Sequence, residues 1–145
     1  MGNCSELVLE IYNLTLMGKR NTKKIMDLIV KKSNKIKGLI EDIYKEYDLY
    51  NKECKKIMKE FKIKSERNTT FATLMANTAM ISEVSNDNSD SKVADIMLRG
   101  LQMGEIEIQK HISNYKGKVD RRISDLTNKV LKFHRNYKNE LTKYL

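Results

Sequence analysis

Apolar residues return every three or four positions along nearly the whole chain, which is the period of a helix face and not the alternation of a strand. One seam runs Val8, Ile11, Thr15, Gly18, Thr22, Ile25 and Ile29, and a second runs Ile36, Ile40, Ile43, Tyr47, Tyr50, Cys54, Ile57 and Phe61. The C-terminal half carries two more: Ala94, Met97, Leu101, Gly104, Ile108, His111 and Tyr115, then Ile123, Thr127, Val130, His134, Tyr137, Leu141 and Tyr144. Neighbours such as Leu7, Leu14, Leu28, Leu39, Leu126 and Leu131 widen each stripe beyond a two-stranded coiled coil. The pattern predicts an all-α four-helix bundle.

Side chains able to accept hydrogen bonds from first-turn amides mark the helix starts: Ser5, Ser33, Ser89 or Ser91, and Asp120. They give expected helices over 5–31, 33–63, 90–116 and 120–144. The links near 32 and 117 are so short that the helices they join must be antiparallel neighbours. Between these hairpins lies a 64–90 segment whose middle, 70–83, carries Phe71, Leu74, Met75, Ala79, Met80 and Ile81 and reads as a short helix. A partly helical stretch of that length can travel a bundle of about 40 Å, at roughly 1.5 Å per helical residue and 3.3 Å per extended one. The second and third main helices are therefore expected to be parallel. The whole chain reads as one domain: hairpin 5–63, crossover 64–89, hairpin 90–145.

The two hairpins look alike. Ser5 to Gly18 (SELVLEIYNLTLMG) aligns with Ser91 to Gly104 (SKVADIMLRGLQMG) at a spacing of 86, sharing the first serine and the final Met-Gly. After one inserted residue, Ser33 meets Asp120, Ile36 meets Ile123, Leu39 meets Leu126 and Tyr50 meets Tyr137. The expectation is an internal repeat. Counting outward from each hairpin turn puts Gly18 near Tyr47, and Gly104 or Gly100 near His134. A helix-interior glycine costs about 0.8–1 kcal/mol relative to alanine, so it suits a place where a ring needs room.

Composition agrees with helices: among 145 residues there is no proline and only six glycines, with 40% hydrophobic and 32% charged residues. No stretch has the roughly 18–20 consecutive apolar residues of a membrane span, and the N-terminus has no signal-peptide core, so the expected location is cytoplasmic. There Cys4 and Cys54 would be thiols, Cys54 within the core. Met1-Gly2-Asn3-Cys4-Ser5 has the start of a myristoylation signal but Glu6 where a hydroxyl is expected. Asn3-Cys4-Ser5, Asn13-Leu14-Thr15 and Asn68-Thr69-Thr70 fit a glycosylation pattern that a cytoplasmic chain would not use.

A net charge of +9 admits polyanionic partners, with Lys31-Lys32, Lys35-Lys37, Lys55-Lys56 and Arg121-Arg122 as candidate contacts to nucleic acid or an anionic surface. The lysines are spread along every helix, the ordinary look of solvated faces. No glycine-rich phosphate loop, Cys-x-x-Cys or nucleophile elbow occurs, and no catalytic constellation is assigned.

Two hairpins joined by one long crossover is the ferritin-like arrangement. The chain resembles small uncharacterised ferritin-like four-helix proteins of Gram-positive bacteria through its repeated Met-Gly, the stretch Asn34-Lys35-Ile36-Lys37-Gly38-Leu39-Ile40, the segment Asp87 to Ala94 (DNSDSKVA) and the ending Leu131-Lys132-Phe133-His134. The resemblance implies the fold and carries no activity. Ferritin-like di-iron enzymes need Glu-x-x-His, whose i, i+3 spacing aims both ligands inward. That motif is missing: Ile108 precedes His111 by three residues and Leu131 precedes His134. A single metal held by Glu107 and His111 is the residual metal reading, against a solvated Glu beside a hydrogen-bonded histidine.

Tyr47, Tyr50, Gly104, His134 and Tyr137, with Met97 and Met103 nearby, form a candidate core pocket in which tyrosine and histidine supply polar handles. Against this stands the ordinary behaviour of rings at seam positions, which is to pack as core. The leading expectation is a non-enzymatic bundle without a cofactor that binds another protein or itself as a homo-oligomer. The alternatives are polyanion binding through the lysine faces and ligand or single-metal binding in the core.

Overall fold

The computed structural model describes residues 2–65, 71–115 and 118–145, with side chains from residue 5 onward and, in the third helix, from Ala79. Every regular element among them is helical: α1 (Gly2–Ile29), α2 (Lys37–Glu60), α3 (Phe71–Asn86), α4 (Asp90–Asn114) and α5 (Arg121–Thr142). The expected turn at 117, the Asn68-Thr69-Thr70 stretch and the side chains of Cys4, Phe71, Leu74 and Met75 lie outside the described residues. No described helix is long and apolar enough to cross a membrane.

The seams become the core. Val8, Ile11, Thr15, Thr22, Ile25 and Ile29 are buried on α1, and Ile123, Thr127, Val130, His134 and Leu141 on α5. Fully burying one such aliphatic side chain contributes about 1.5–3 kcal/mol, so each stripe binds its helix firmly to the others. α1 packs against α2 and α4, α5 packs against α4 and α2, and α3 rests on α1 and α4.

Contacts at the ends give the directions. Asp90, opening α4, bonds the amide of Lys35 at 3.1 Å just before α2, so α2 and α4 start at the same end. Arg122, opening α5, pairs with Glu60 at the finish of α2. His111, late in α4, meets Glu10, early in α1. Neighbouring main helices are thus antiparallel, and the chain runs the length of the bundle between α2 and α4.

Helix limits depart from the cap-based reading most at α2, expected from Ser33 and found from Lys37. Its N-cap position is Ile36, which has no side-chain cap. The acceptor comes from the other hairpin: Asp90 takes the amides of Lys35 and Ile36 and the side-chain amide of Asn34. A local serine was not needed because a carboxylate 54 residues downstream in sequence reaches the free amides. α1 likewise begins before Ser5, at Gly2. The other starts are local: Ser89 accepts from the Lys92 amide and Asp120 from that of Arg122. α2 ends in a Schellman turn, with Lys62 at φ 56° and the Ile63 amide on the Met58 carbonyl at 2.8 Å.

Candidate functional site

The interior divides into two apolar clusters, one around Ile36, Ile40, Val93 and Leu101, the other around Val8, Ile57, Ile108 and Ile123. Buried polar groups form a waist between them. Thr15 returns its hydroxyl to the Ile11 carbonyl and receives the Asn51 side-chain amide at 3.2 Å. Asn51 was not on the expected seam, which stepped through Tyr50; the structure buries Asn51 and leaves Tyr50 half-buried. Its Nδ2 also donates to the Tyr12 carbonyl, satisfying a donor that pattern alone would place in solvent.

At the centre, the Tyr47 hydroxyl lies 3.2 Å from Nε2 of His134. Nδ1 of His134 lies 2.7 Å from the Val130 carbonyl, which can only accept, so Nδ1 carries the proton and Nε2 accepts from the tyrosine. Burial holds both rings neutral: it lowers His134 to about 4, against a smaller opposing effect of the Val130 carbonyl, and raises Tyr47 well above its ordinary value. Phe133 meets Tyr47 edge-on at 4.9 Å between centroids and His134 at 5.0 Å.

Each of these two polar rings covers a glycine. A Cβ on Gly18 would stand 2.4 Å from the Tyr47 ring, and one on Gly104 would stand 2.8 Å from His134 Nε2. Gly100, the other candidate opposite His134, has only the end of Met80 within reach at 3.9 Å.

Between α1 and α4 lies a groove of about 430 Å³ that runs from Glu10 to Ile25 on α1 and from His111 to Ile96 on α4. Four of the eight methionines, Met17, Met80, Met97 and Met103, line it. Tyr47, Gly104 and His134 of the expected pocket lie beneath this groove; Tyr50 and Tyr137 do not. Those two tyrosines contact Phe133 instead, Tyr50 tilted at 5.7 Å and Tyr137 edge-on at 5.3 Å between centroids. Phe133, absent from every expected seam, thus divides the four rings into two pairs. Met97 and Met103, expected near the pocket, line this groove, and the structure adds Met17 and Met80 to them.

Glu107 and His111 both reach one end of the groove, but their nearest ionic partners differ: Lys110 lies 3.4 Å from Glu107, and Glu10 lies 3.3 Å from His111. Among the described residues no three His, Cys, Asp or Glu side chains gather as a metal site. On α5, Arg122 of the basic clusters is engaged by Glu60, Asp120 and the Phe61 ring, whereas Lys31, Lys32 and Lys35 stand exposed at one end of the bundle. Cys54 is buried beside Thr15, and burial pushes its thiol up to about 12. No family model matches the chain, and neither curated proteins nor solved structures give a significant match.

Proposed function

We propose that this protein works by binding, and that the groove between α1 and α4 receives an apolar ligand. The observation that supports this best is the groove's composition. A bundle interior normally closes over its core, yet here a groove remains between α1 and α4 beside two glycines, with four methionines as adaptable wall side chains. The volume falls within the range of about 300–1,000 Å³ usual for small-ligand sites. In the same proposal the fold is ferritin-like in topology and built from a repeated hairpin. The pairing of Gly18 with Tyr47 and Gly104 with His134, and the meeting of Tyr47 with His134 across 87 residues, are what a two-fold repeat would place on its axis.

The test uses the neutral fluorescent probe N-phenyl-1-naphthylamine, with Gly100→Leu to fill the groove without crowding the packed core. Saturable one-to-one binding is expected in the native chain and loss of it in the variant at unchanged helicity. Equal binding by both would reject the groove as the site.

Self-association is the second reading, favoured by Met103 and Ile106, which stand 38% and 44% exposed on the groove's rim. Light scattering of the native chain and of the Met103→Glu, Ile106→Glu double variant tests it. A concentration-dependent dimer that the variant loses supports this reading, and a strict monomer rejects it.

A further inference from the structure

We infer that the groove's ligand is a single-chain amphiphile with a positively charged head group, its tail lying along the slot and its head beside Glu10 and Glu107. This deepens the binding reading above and rests on it.

Shape comes first. From Ile96 to His111 the groove follows α4 for about 22 Å at 1.5 Å per residue. A volume of about 430 Å³ spread over that length is too little to seat a further helix of roughly 10 Å diameter. The slot suits one extended hydrocarbon chain. Aliphatic side chains and methionines make up about half of its lining, with Asn13, Asn21 and Thr22 among the polar remainder, and its middle passes Gly18 and Gly104, beneath which lie the Tyr47 and His134 rings.

Charge gives the direction. The chain carries 28 Lys and Arg and a net charge of +9, yet among the described residues no Lys or Arg lines the groove. Its acidic side chains among the described residues are Glu10 on α1 and Glu107 on α4, both at the end where His111 reaches Glu10 at 3.3 Å. At the opposite end Ile25, Ile81 and Ile96 close the slot with apolar surface. A fatty carboxylate or a phosphate ester would bring its anion against two carboxylates. A head that donates to them complements the site, displacing the contacts that His111 and Lys110 make with Glu10 and Glu107.

Calorimetry at pH 8 with decylammonium, decanol and decanoate, each below its micelle concentration, separates the terms. The expected order of affinity is decylammonium, decanol, decanoate, with the cation favoured over the alcohol by about fivefold, as two partly exposed carboxylates supply. In the Glu10→Gln, Glu107→Gln variant decylammonium should fall to the level of decanol, with decanol binding unchanged. Equal binding of the cation and the alcohol, or tighter binding of decanoate as the net charge by itself would favour, overturns the head-group inference while leaving the groove as the site. Failure of all three to bind, or binding by Gly100→Leu as strong as by the native chain, rejects the groove itself.

Discussion

The Tyr47 hydroxyl donates to Nε2 of His134 across 3.2 Å at the centre of the bundle, joining the middle of α2 to the middle of α5. The bond requires a neutral imidazole whose Nδ1 proton is already committed to Val130. Protonating His134 would place a cation in a fully buried position and remove the acceptor that Tyr47 uses.

Stability should therefore depend on pH between about 4 and 6.5. His134 is lowered to about 4 in the folded chain, by burial first, while an unfolded histidine titrates near 6.5. Within that window the unfolded state binds more protons, so stability is complete above the upper limit and falls as pH drops towards the lower one. Glu105 acts weakly to raise His134 and Lys138 to lower it. The loss approaches about 3 kcal/mol by pH 4. Urea melts of the native chain and of His134→Phe at pH 7, 6 and 5 should show a steep slope only in the native chain; parallel curves would refute it.

Glycine substitutions should split by position. Gly18→Ala drives a methyl into the Tyr47 ring, held on its other side by Phe133, and is expected to lose about 1–3 kcal/mol. Gly104→Ala should lose a similar amount against His134. Gly100→Ala and Gly38→Ala meet no such obstacle and should gain up to about 1 kcal/mol from helix propensity. A gain at Gly104 in urea melts would mean that the ring moves aside freely.

Lys62 occupies the left-handed position that glycine usually fills in a Schellman turn. Lys62→Gly should raise stability by a few tenths of a kcal/mol up to about 1 kcal/mol, the relief of backbone strain exceeding the added freedom of the unfolded chain. Thermal melts of the two proteins suffice. A lower midpoint in the variant would indicate a side-chain contact of Lys62 that outweighs the strain.

Asp90→Ala should cost about 1–2 kcal/mol, because it strips an acceptor from the Lys35 and Ile36 amides and from Asn34 together. Asp95→Ala, which removes only an exposed pair with Arg99, should cost a few tenths at most. Hydrogen exchange gives the sharper readout: amides at the start of α2 should lose protection in Asp90→Ala and keep it in Asp95→Ala.

Cys54 should be inert while the chain is folded, since its thiol is buried and raised to about 12. In a Cys4→Ser background, Ellman's reagent should release no colour until denaturant is added. Rapid native-state labelling would show that α1 and α2 separate readily around Thr15 and Asn51.

What was legible in the sequence was what repeats at helical spacing. The 3.6-residue period marked the main helices and most of their buried faces, because burial of one face per helix is written directly into side-chain polarity. The glycine partners of Tyr47 and His134 were also within reach, since a short turn sets the register of two antiparallel helices, although only the fold chose Gly104 over Gly100. Other features depended on residues distant along the chain. Asp90 capping α2, Asn51 replacing Tyr50 in the core and Phe133 dividing the four rings are contacts between side chains whose polarity says nothing of their partner. The groove is of the same kind. Met97 and Met103 could be placed near a pocket from their helical positions, but that Met17 and Met80 join them along a groove between α1 and α4 was decided by packing between helices.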